Sequence, residues 1–221
     1  MELIRGLHNL RPRHRGSVAT IGNFDGVHLG HQAIYRHLID KARLLGLPAT
    51  VITFEPQPQE FFSPEAAPAR LTRFREKLQA IRDTGVDRVM LLEFNARLAA
   101  MSAADFVGRL LVDGLAVRYL FVGDDFRFGR GREGDIALLR REGTARGFDV
   151  DNMSTFAVEE RRVSSTLIRQ ALRDGDLRTA ERMLGRPYRI CGRVAHGDKR
   201  GRTIGFPTAN IDLHRRFSPV R

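Results

Sequence analysis

Apolar positions along this chain follow two alternating rhythms. Short apolar runs, Ser17 to Phe24, Ala49 to Phe54, Asp87 to Phe94 and Arg118 to Gly123, have the length of buried strands. Between them apolar residues recur three and four apart. Ala33, Ile34, Leu38, Ile39, Ala42 and Leu45 form one such helical stripe, stopped by Gly46 and Pro48. Arg70 to Thr84 repeats the spacing and closes at Gly85, and Asp135 to Arg146 closes at Gly147. Ser102 opens another helix, with Asp105 three residues on as an approximate capping box. Leu3 to Leu10 reads as a lead-in, and Phe148 to Val158 holds at least one more strand. Glu55 to Pro68, with four prolines, reads as a loop. Strands alternating with amphipathic helices predict an α/β fold whose mostly parallel sheet is covered on both faces. Ligands in such sheets collect at the C-terminal ends of the strands.

The pattern changes after Val163. Two helices follow closely, Ser164 to Arg173 and Leu177 to Leu184, split by Asp174-Gly175-Asp176. Gly185-Arg186-Pro187 breaks them, Tyr188 to Ala195 reads as strand, and Gly197, Gly201 and Gly205 mark a loop. Residues 1–185 therefore form one domain and residues 186–221 the start of a second, too short for a core of its own. No repeat or low-complexity stretch interrupts either part.

Composition narrows the class. With 42% hydrophobic and 29% charged residues the chain is an ordinary globular protein, and no apolar run reaches bilayer length. Met1 to Arg15 lacks the apolar core of a signal peptide. The single Cys191 cannot form an internal disulfide, which fits the cytoplasm, and reads as a buried, inert thiol. The net charge of +11 comes from scattered arginines, since only Lys41, Lys77 and Lys199 are lysines. No basic run forms, so neither nucleic acid nor a membrane is expected as partner. The sequence gives no oligomeric state.

Chemistry concentrates where the first strand ends, in Gly22-Asn23-Phe24-Asp25-Gly26-Val27-His28-Leu29-Gly30-His31. Strand, glycine turn and helix start follow in order, and His28 and His31 share a helix face. Free N–H groups at a helix start attract anions, and imidazoles beside them stabilise developing charge. A plain strand-to-helix turn, a metal-binding histidine pair or simple capping would use the same residues. Val163-Ser164-Ser165-Thr166-Leu167-Ile168-Arg169 puts hydroxyls at another helix start with an arginine one turn on, suited to phosphate or to ordinary capping. Gly123-Asp124-Asp125-Phe126-Arg127-Phe128-Gly129 follows a strand, with Phe126 and Phe128 as core plugs. Phe54-Glu55-Pro56-Gln57-Pro58 with Phe61 and Phe62 offers rigid prolines and aromatics that stack on a flat ring or serve as core or lid. Gly197 to Gly205 is a basic glycine loop leading to Pro207-Thr208-Ala209-Asn210.

Together these stretches resemble the bacterial bifunctional riboflavin kinase/FMN adenylyltransferase (FAD synthetase) family of the HxGH nucleotidylyltransferase superfamily. The Gly-x-Phe-Asp-Gly-x-His-x-Gly-His run, then the Phe-x-Phe-Gly loop and the Ser-Ser-Thr-x-Ile-Arg run, match in order along the chain, and between the first two lies the Thr-Phe-x-Pro-x-Pro segment. Gln57 stands where that last segment usually has His. The resemblance implies a Rossmann-like nucleotidylyltransferase domain followed by the incomplete start of a small antiparallel β-barrel. It implies transfer of AMP from ATP to FMN, giving FAD and pyrophosphate, with Mg²⁺ accompanying ATP and no tightly bound metal. Catalytic roles fall to His28, His31 and Arg169. Gly22, Asn23, Phe24, Asp25, Gly30, Ser165 and Thr166 are expected at ATP. Pro56, Pro58 and Phe62 would line the flavin pocket, with Asp125 a polar contact beside the nucleotide. Thr208 and Asn210 match the riboflavin kinase signature that holds Mg–ATP, and riboflavin would be a substrate only of a longer parent protein. Another phosphate acceptor, such as pantetheine phosphate or nicotinate mononucleotide, and a non-catalytic flavin- or nucleotide-binding remnant are the alternatives.

Overall fold

A computed structural model describes residues 1–153, 157–158, 161–196, 200–203, 205–206, 208–213 and 217–220. Six strands form one sheet: β1 (Glu2–Arg5), β2 (Ser17–Ile21), β3 (Ala49–Glu55), β4 (Arg88–Glu93), β5 (Val117–Gly123) and β6 (Asp149–Met153). Their order is β1-β4-β3-β2-β5-β6, and every pairing is parallel. All five residues of β2 are buried, as a central strand covered on both faces requires. Successive residues point to opposite faces, so each strand feeds two cores. Ala19, Ile52, Met90 and Leu120 pack with Phe106, Leu110, Leu111 and Leu139 on one face. Val18, Val51 and Val89 pack with Tyr35, Leu38 and Ile81 on the other.

The helices between these strands are α1 (Leu29–Leu45), α2 (Pro58–Phe62), α3 (Phe74–Arg82), α4 (Ala96–Ala99), α5 (Ala103–Phe106) and α6 (Ile136–Arg146). From β2 the chain steps to β3 and β4 on one side, then returns to place β5 and β6 on the other. Strand order thus reverses beside β2, and the β2–α1 connection opens at that switch point. α7 (Ser165–Arg173) and α8 (Leu177–Leu184) add a third cluster in which Leu71 meets Ile168, Leu172, Ala180 and Leu184. Two small antiparallel pairs complete the chain, β7 (Ala157–Val158) with β8 (Arg161–Arg162), and β9 (Arg193–Ala195) with β10 (Asn210–Asp212). A short helix, α9 (Arg200–Thr203), lies between the last two strands.

Several local expectations change: the strand expected over Ser17–Phe24 ends at Ile21, where the glycine turn begins, and the strand expected over Tyr188–Ala195 forms only at Arg193–Ala195, where it pairs with β10. The lead-in contains β1, an edge strand paired with β4. The proline segment contains α2, because Pro58 sits at the first helical position, where its missing N–H costs nothing. The second predicted helix starts at Phe74 rather than Arg70, since the N–H groups of Leu71 and Thr72 are spent on the Asp25 carboxylate. Cys191 is exposed rather than buried, because its segment lies over α3, where its N–H donates to Glu76 and its carbonyl accepts from Arg73. The helix opened by Ser102 does form, with Ser102 as its cap, and runs on as a wider π-type turn over Val107–Gly114.

Candidate active site

The turn between β2 and α1 is strained and tightly held. Phe24 (φ 50°) and Val27 (φ 42°) both adopt left-handed backbone, costly for any side chain and most for a β-branched one. Gly22 is required beside them, because a Cβ there would lie 2.9 Å from the Phe24 ring. Gly26 takes φ +83° with Leu71 pressed against it. The Phe24 ring packs on Tyr35 and meets His31 edge-on at 5.2 Å.

Asp25 is the knot of this turn. Its buried carboxylate accepts from Leu71 N–H at 2.9 Å, Thr72 N–H at 3.0 Å, Thr72 Oγ1 at 3.1 Å and Arg169 Nη2 at 2.6 Å. Four donors fill the capacity of a carboxylate. The Asp25 carbonyl accepts from Ser165 Oγ at 3.0 Å, and Arg169 Nε donates to the Ala69 carbonyl at 2.6 Å. The two motif stretches, 140 residues apart in sequence, are therefore bonded to one another. Further cations grip the same backbone. Arg186 donates to the Gly26 and Val27 carbonyls, and Lys77 Nζ to the Asn23 carbonyl at 3.0 Å.

His28 caps α1: its Nδ1 accepts from the His31 N–H at 3.3 Å, and the two rings stack 3.6 Å apart. An accepting Nδ1 leaves the proton of the neutral ring on Nε2, ready to donate. Burial pushes the His28 pKa down to about 4, with the Arg169 and Arg186 charges adding to the shift and Asp25 opposing it. Burial, then His28 and Lys77, holds His31 well below the ordinary histidine value. Both rings are thus neutral near pH 7. Gly30 lies against the His28 ring and the Val163 carbonyl, so α1 and the entry to α7 meet here. Thr166 is exposed on the first turn of α7. Among the described residues no group of three or more His, Cys, Asp or Glu is placed to hold a metal ion.

On the other side of the sheet switch, β3 ends at Glu55 and leads through half-buried Pro56 and Pro58 into α2. Phe61, Phe62 and Phe94 meet edge to face at 5.2–5.5 Å, with Phe62 64% exposed. Arg70 binds both Glu55 and Glu60 and ties this loop down. Burial disfavours the Arg70 charge, but the two carboxylates outweigh it and raise its pKa. A cleft of about 380 Å³ runs past Glu55, Glu60, Arg70, Phe74 and Phe217. Asp125 is exposed beyond β5, while Phe128 is buried and stacks with Phe126 at 5.6 Å, the plug expected of them. Thr208 and Asn210 are exposed on the last hairpin, a separate sheet. Pro207 and the Gly197–Lys199 part of the basic loop lie outside the described residues.

Sequence reading passed over Lys77, Thr72, Arg70, Phe94 and Arg186. Only Lys77 left a signal, as one of three lysines in an arginine-rich chain and set inside a helix with core residues.

A parallel sheet with an anion-ready turn at its switch point, flanked by a second capped helix start, defines a nucleotide-binding α/β protein of the nucleotidyl-transferring kind. The chain belongs to the FAD synthetase family, whose model matches residues 10–167, and the riboflavin kinase model matches residues 184–220. It is 57% identical to the bifunctional riboflavin kinase/FMN adenylyltransferase of Pseudomonas fluorescens, covering 100% of this chain and 70% of that one. The protein of the same name from Escherichia coli (strain K12) is 54% identical, with 100% and 71% covered. A solved structure described as a macrolide-efflux protein from Streptococcus pneumoniae superposes with a TM-score of 0.83 at 29% identity, covering 100% of this chain and 72% of that one. That likeness carries the fold; no helix among the described residues of this chain is long and apolar enough to cross a membrane.

Proposed function

We propose that this chain makes FAD by transferring AMP from ATP to FMN and releasing pyrophosphate. A phosphate oxygen of FMN attacks the α-phosphorus of ATP, a new P–O–P bond forms, and the bond to the pyrophosphate oxygen breaks. The nucleophile is already an anion, so no proton must leave and no enzyme-bound intermediate is needed. The work left to the protein is positioning and stabilising charge on the departing pyrophosphate. His28 and His31, neutral and donating, serve that charge from the start of α1. Thr166, Arg169 and the Ser165 N–H serve the β- and γ-phosphates from the start of α7, Arg169 through the nitrogen that Asp25 leaves uncommitted, while the Ser165 hydroxyl stays on the Asp25 carbonyl. Gly22, Asn23, Phe24 and Gly30 let the nucleotide approach the backbone. Asp25, whose carboxylate is saturated, positions the turn rather than touching substrate. Pro56, Pro58 and Phe62 take the flavin, with Asp125 beside it. Mg²⁺ enters with ATP as substrate, and the cytoplasm, which supplies ATP and FMN, is where we place the reaction.

The observation that supports the reading is the bonding of Ser165 and Arg169 to Asp25, which brings two helix starts and two stacked histidines into one corner suited to phosphate. The names of the relatives favour FMN over another phosphate acceptor. Purified chain given FMN and ATP should release pyrophosphate and form FAD. Preferential turnover of pantetheine phosphate or nicotinate mononucleotide would overturn the choice of acceptor, and no turnover of any acceptor would leave a binding remnant.

A further inference from the structure

Beneath the β2–α1 turn lies a charged group to which the reaction so far gives no part. Lys77 stands in α3 beside the core residue Ile81 and is 1% exposed. Lysine is almost never so buried unless paired. Its ammonium donates to the Asn23 carbonyl at 3.0 Å and to Thr53 Oγ1 at 3.3 Å, both neutral acceptors. The carboxylates whose fields reach it are engaged elsewhere: Glu55 and Glu60 close on Arg70, and Asp25 closes on Arg169. No carboxylate among the described residues is in ion-pair contact with Lys77.

The Asn23 contact has a directional consequence. In a trans peptide the carbonyl and the next N–H point opposite ways. Drawing the Asn23 carbonyl down onto α3 turns the Phe24 N–H toward the other side of the turn. Phe24 itself is left-handed, and successive N–H groups about such a residue form an anion-binding concavity. No described residue accepts from the N–H of Phe24 or of Asp25.

We propose that Lys77 is a positioning residue for nucleotidyl transfer: its buried ammonium, fixed on the Asn23 carbonyl and the Thr53 hydroxyl, aims the Phe24 and Asp25 N–H groups at a nucleotide phosphate, which is its missing countercharge. The proposal rests on the nucleotidyl-transfer reading above. The Lys77 charge also adds, after burial and His28, to what holds His31 below the ordinary histidine value.

Two variants and one wild-type measurement test it. In the wild-type chain, titrating ATP should shift the Phe24 and Asp25 amide resonances; unmoved amides on ATP binding overturn the proposal. Lys77→Gln keeps a donor for Asn23 but loses the charge, so ATP affinity should fall roughly 10-fold while KM for FMN stays within about two-fold. Lys77→Met loses donor and charge, and kcat for FAD formation should fall roughly 10²-fold. In both variants the His31 ring should titrate at higher pH, because a charge that opposed its protonation is gone. A lysine with a merely structural role would lower the melting temperature and shift the His31 titration while leaving ATP affinity and kcat in place, and that result overturns the proposal. Should Lys77→Met not fold, Lys77→Gln and the wild-type amides decide. A chain that binds ATP with these shifts and makes no FAD fails the FMN reading and leaves Lys77 in its role; FAD formed with unmoved amides does the reverse.

Discussion

At the scale of single residues, the corner where β2, α1 and α7 meet holds two imidazoles neutral and one carboxylate fully engaged. Replacing His31 by Ala removes the donor proposed for the departing pyrophosphate, and FAD formation should fall by roughly 10²-fold or more, measured as kcat at saturating ATP and FMN. Protonation has its own signature. Folded His28 titrates near 4, whereas an unfolded imidazole titrates at about 6.5. Between those values the unfolded chain binds a proton that the folded chain refuses, so stability is full above about 6.5 and declines as pH falls toward 4. The slope is at most roughly 1.4 kcal/mol per pH unit for this group. His28→Asn, which keeps an acceptor to cap α1, should flatten the acid decline of the melting temperature across that window. Asp25 is a different kind of residue. Asp25→Asn replaces a saturated acceptor by a group carrying donors, facing Arg169 and two amides. It should cost about 3 kcal/mol in denaturant melts, the scale of breaking a buried pair.

At the scale of elements, what the sequence made legible depended on whether the signal was local. The Ser164, Asp135 and Ser102 caps and the Gly46 and Gly147 stops are set by neighbours within one turn, and they lie where the pattern put them, whereas β2 stops at Ile21 rather than Phe24. α2 was hidden because prolines argue for a loop unless one of them falls at a first helical position. The late start of α3 was hidden because its cause is Asp25, far back in the chain. The site divides in the same way. The histidines and the Ser/Thr-Arg run are readable as motifs, whereas Lys77, Arg70 and Phe94 act only through long-range contacts. α2 carries the prediction that belongs to this scale. Phe62 is largely exposed and touches only Phe61 and Phe94 rings among the aromatic contacts. Phe62→Ala should therefore leave the melting temperature almost unchanged. If α2 forms one wall of the flavin site, KM for FMN should rise roughly 3- to 10-fold, the worth of one aromatic pair, with KM for ATP unmoved.

At the scale of the whole molecule, the two ends of the chain differ in what they bury. The six-stranded sheet and its helices own two clusters of buried side chains, and α7 and α8 close a third. Among the described residues the β9–β10 hairpin owns none: both strands are exposed, and Val194, Phe206 and Ile211 face solvent. A lone two-stranded sheet is at best marginally stable in water. Its segment is tethered instead by Cys191 over α3 and by Tyr188 and Val220 against the third cluster. Removing residues 192–221 should then shift the main melting transition by no more than a few degrees and leave FAD formation from FMN and ATP intact. Protease should cut first in that hairpin, because its backbone bonds are the least shielded. The same exposure bears on the second family match. Thr208 and Asn210 stand on a surface with nothing folded over them among the described residues, so no enclosed site surrounds them. Phosphoryl transfer relies on positioning and on excluding water, and an open hairpin supplies neither. Riboflavin and ATP incubated with these 221 residues should give no FMN, while FMN and ATP give FAD. FMN formed from riboflavin would mean that the hairpin gathers a closed site around its substrates, and the exposed strands would then have to be covered when riboflavin binds.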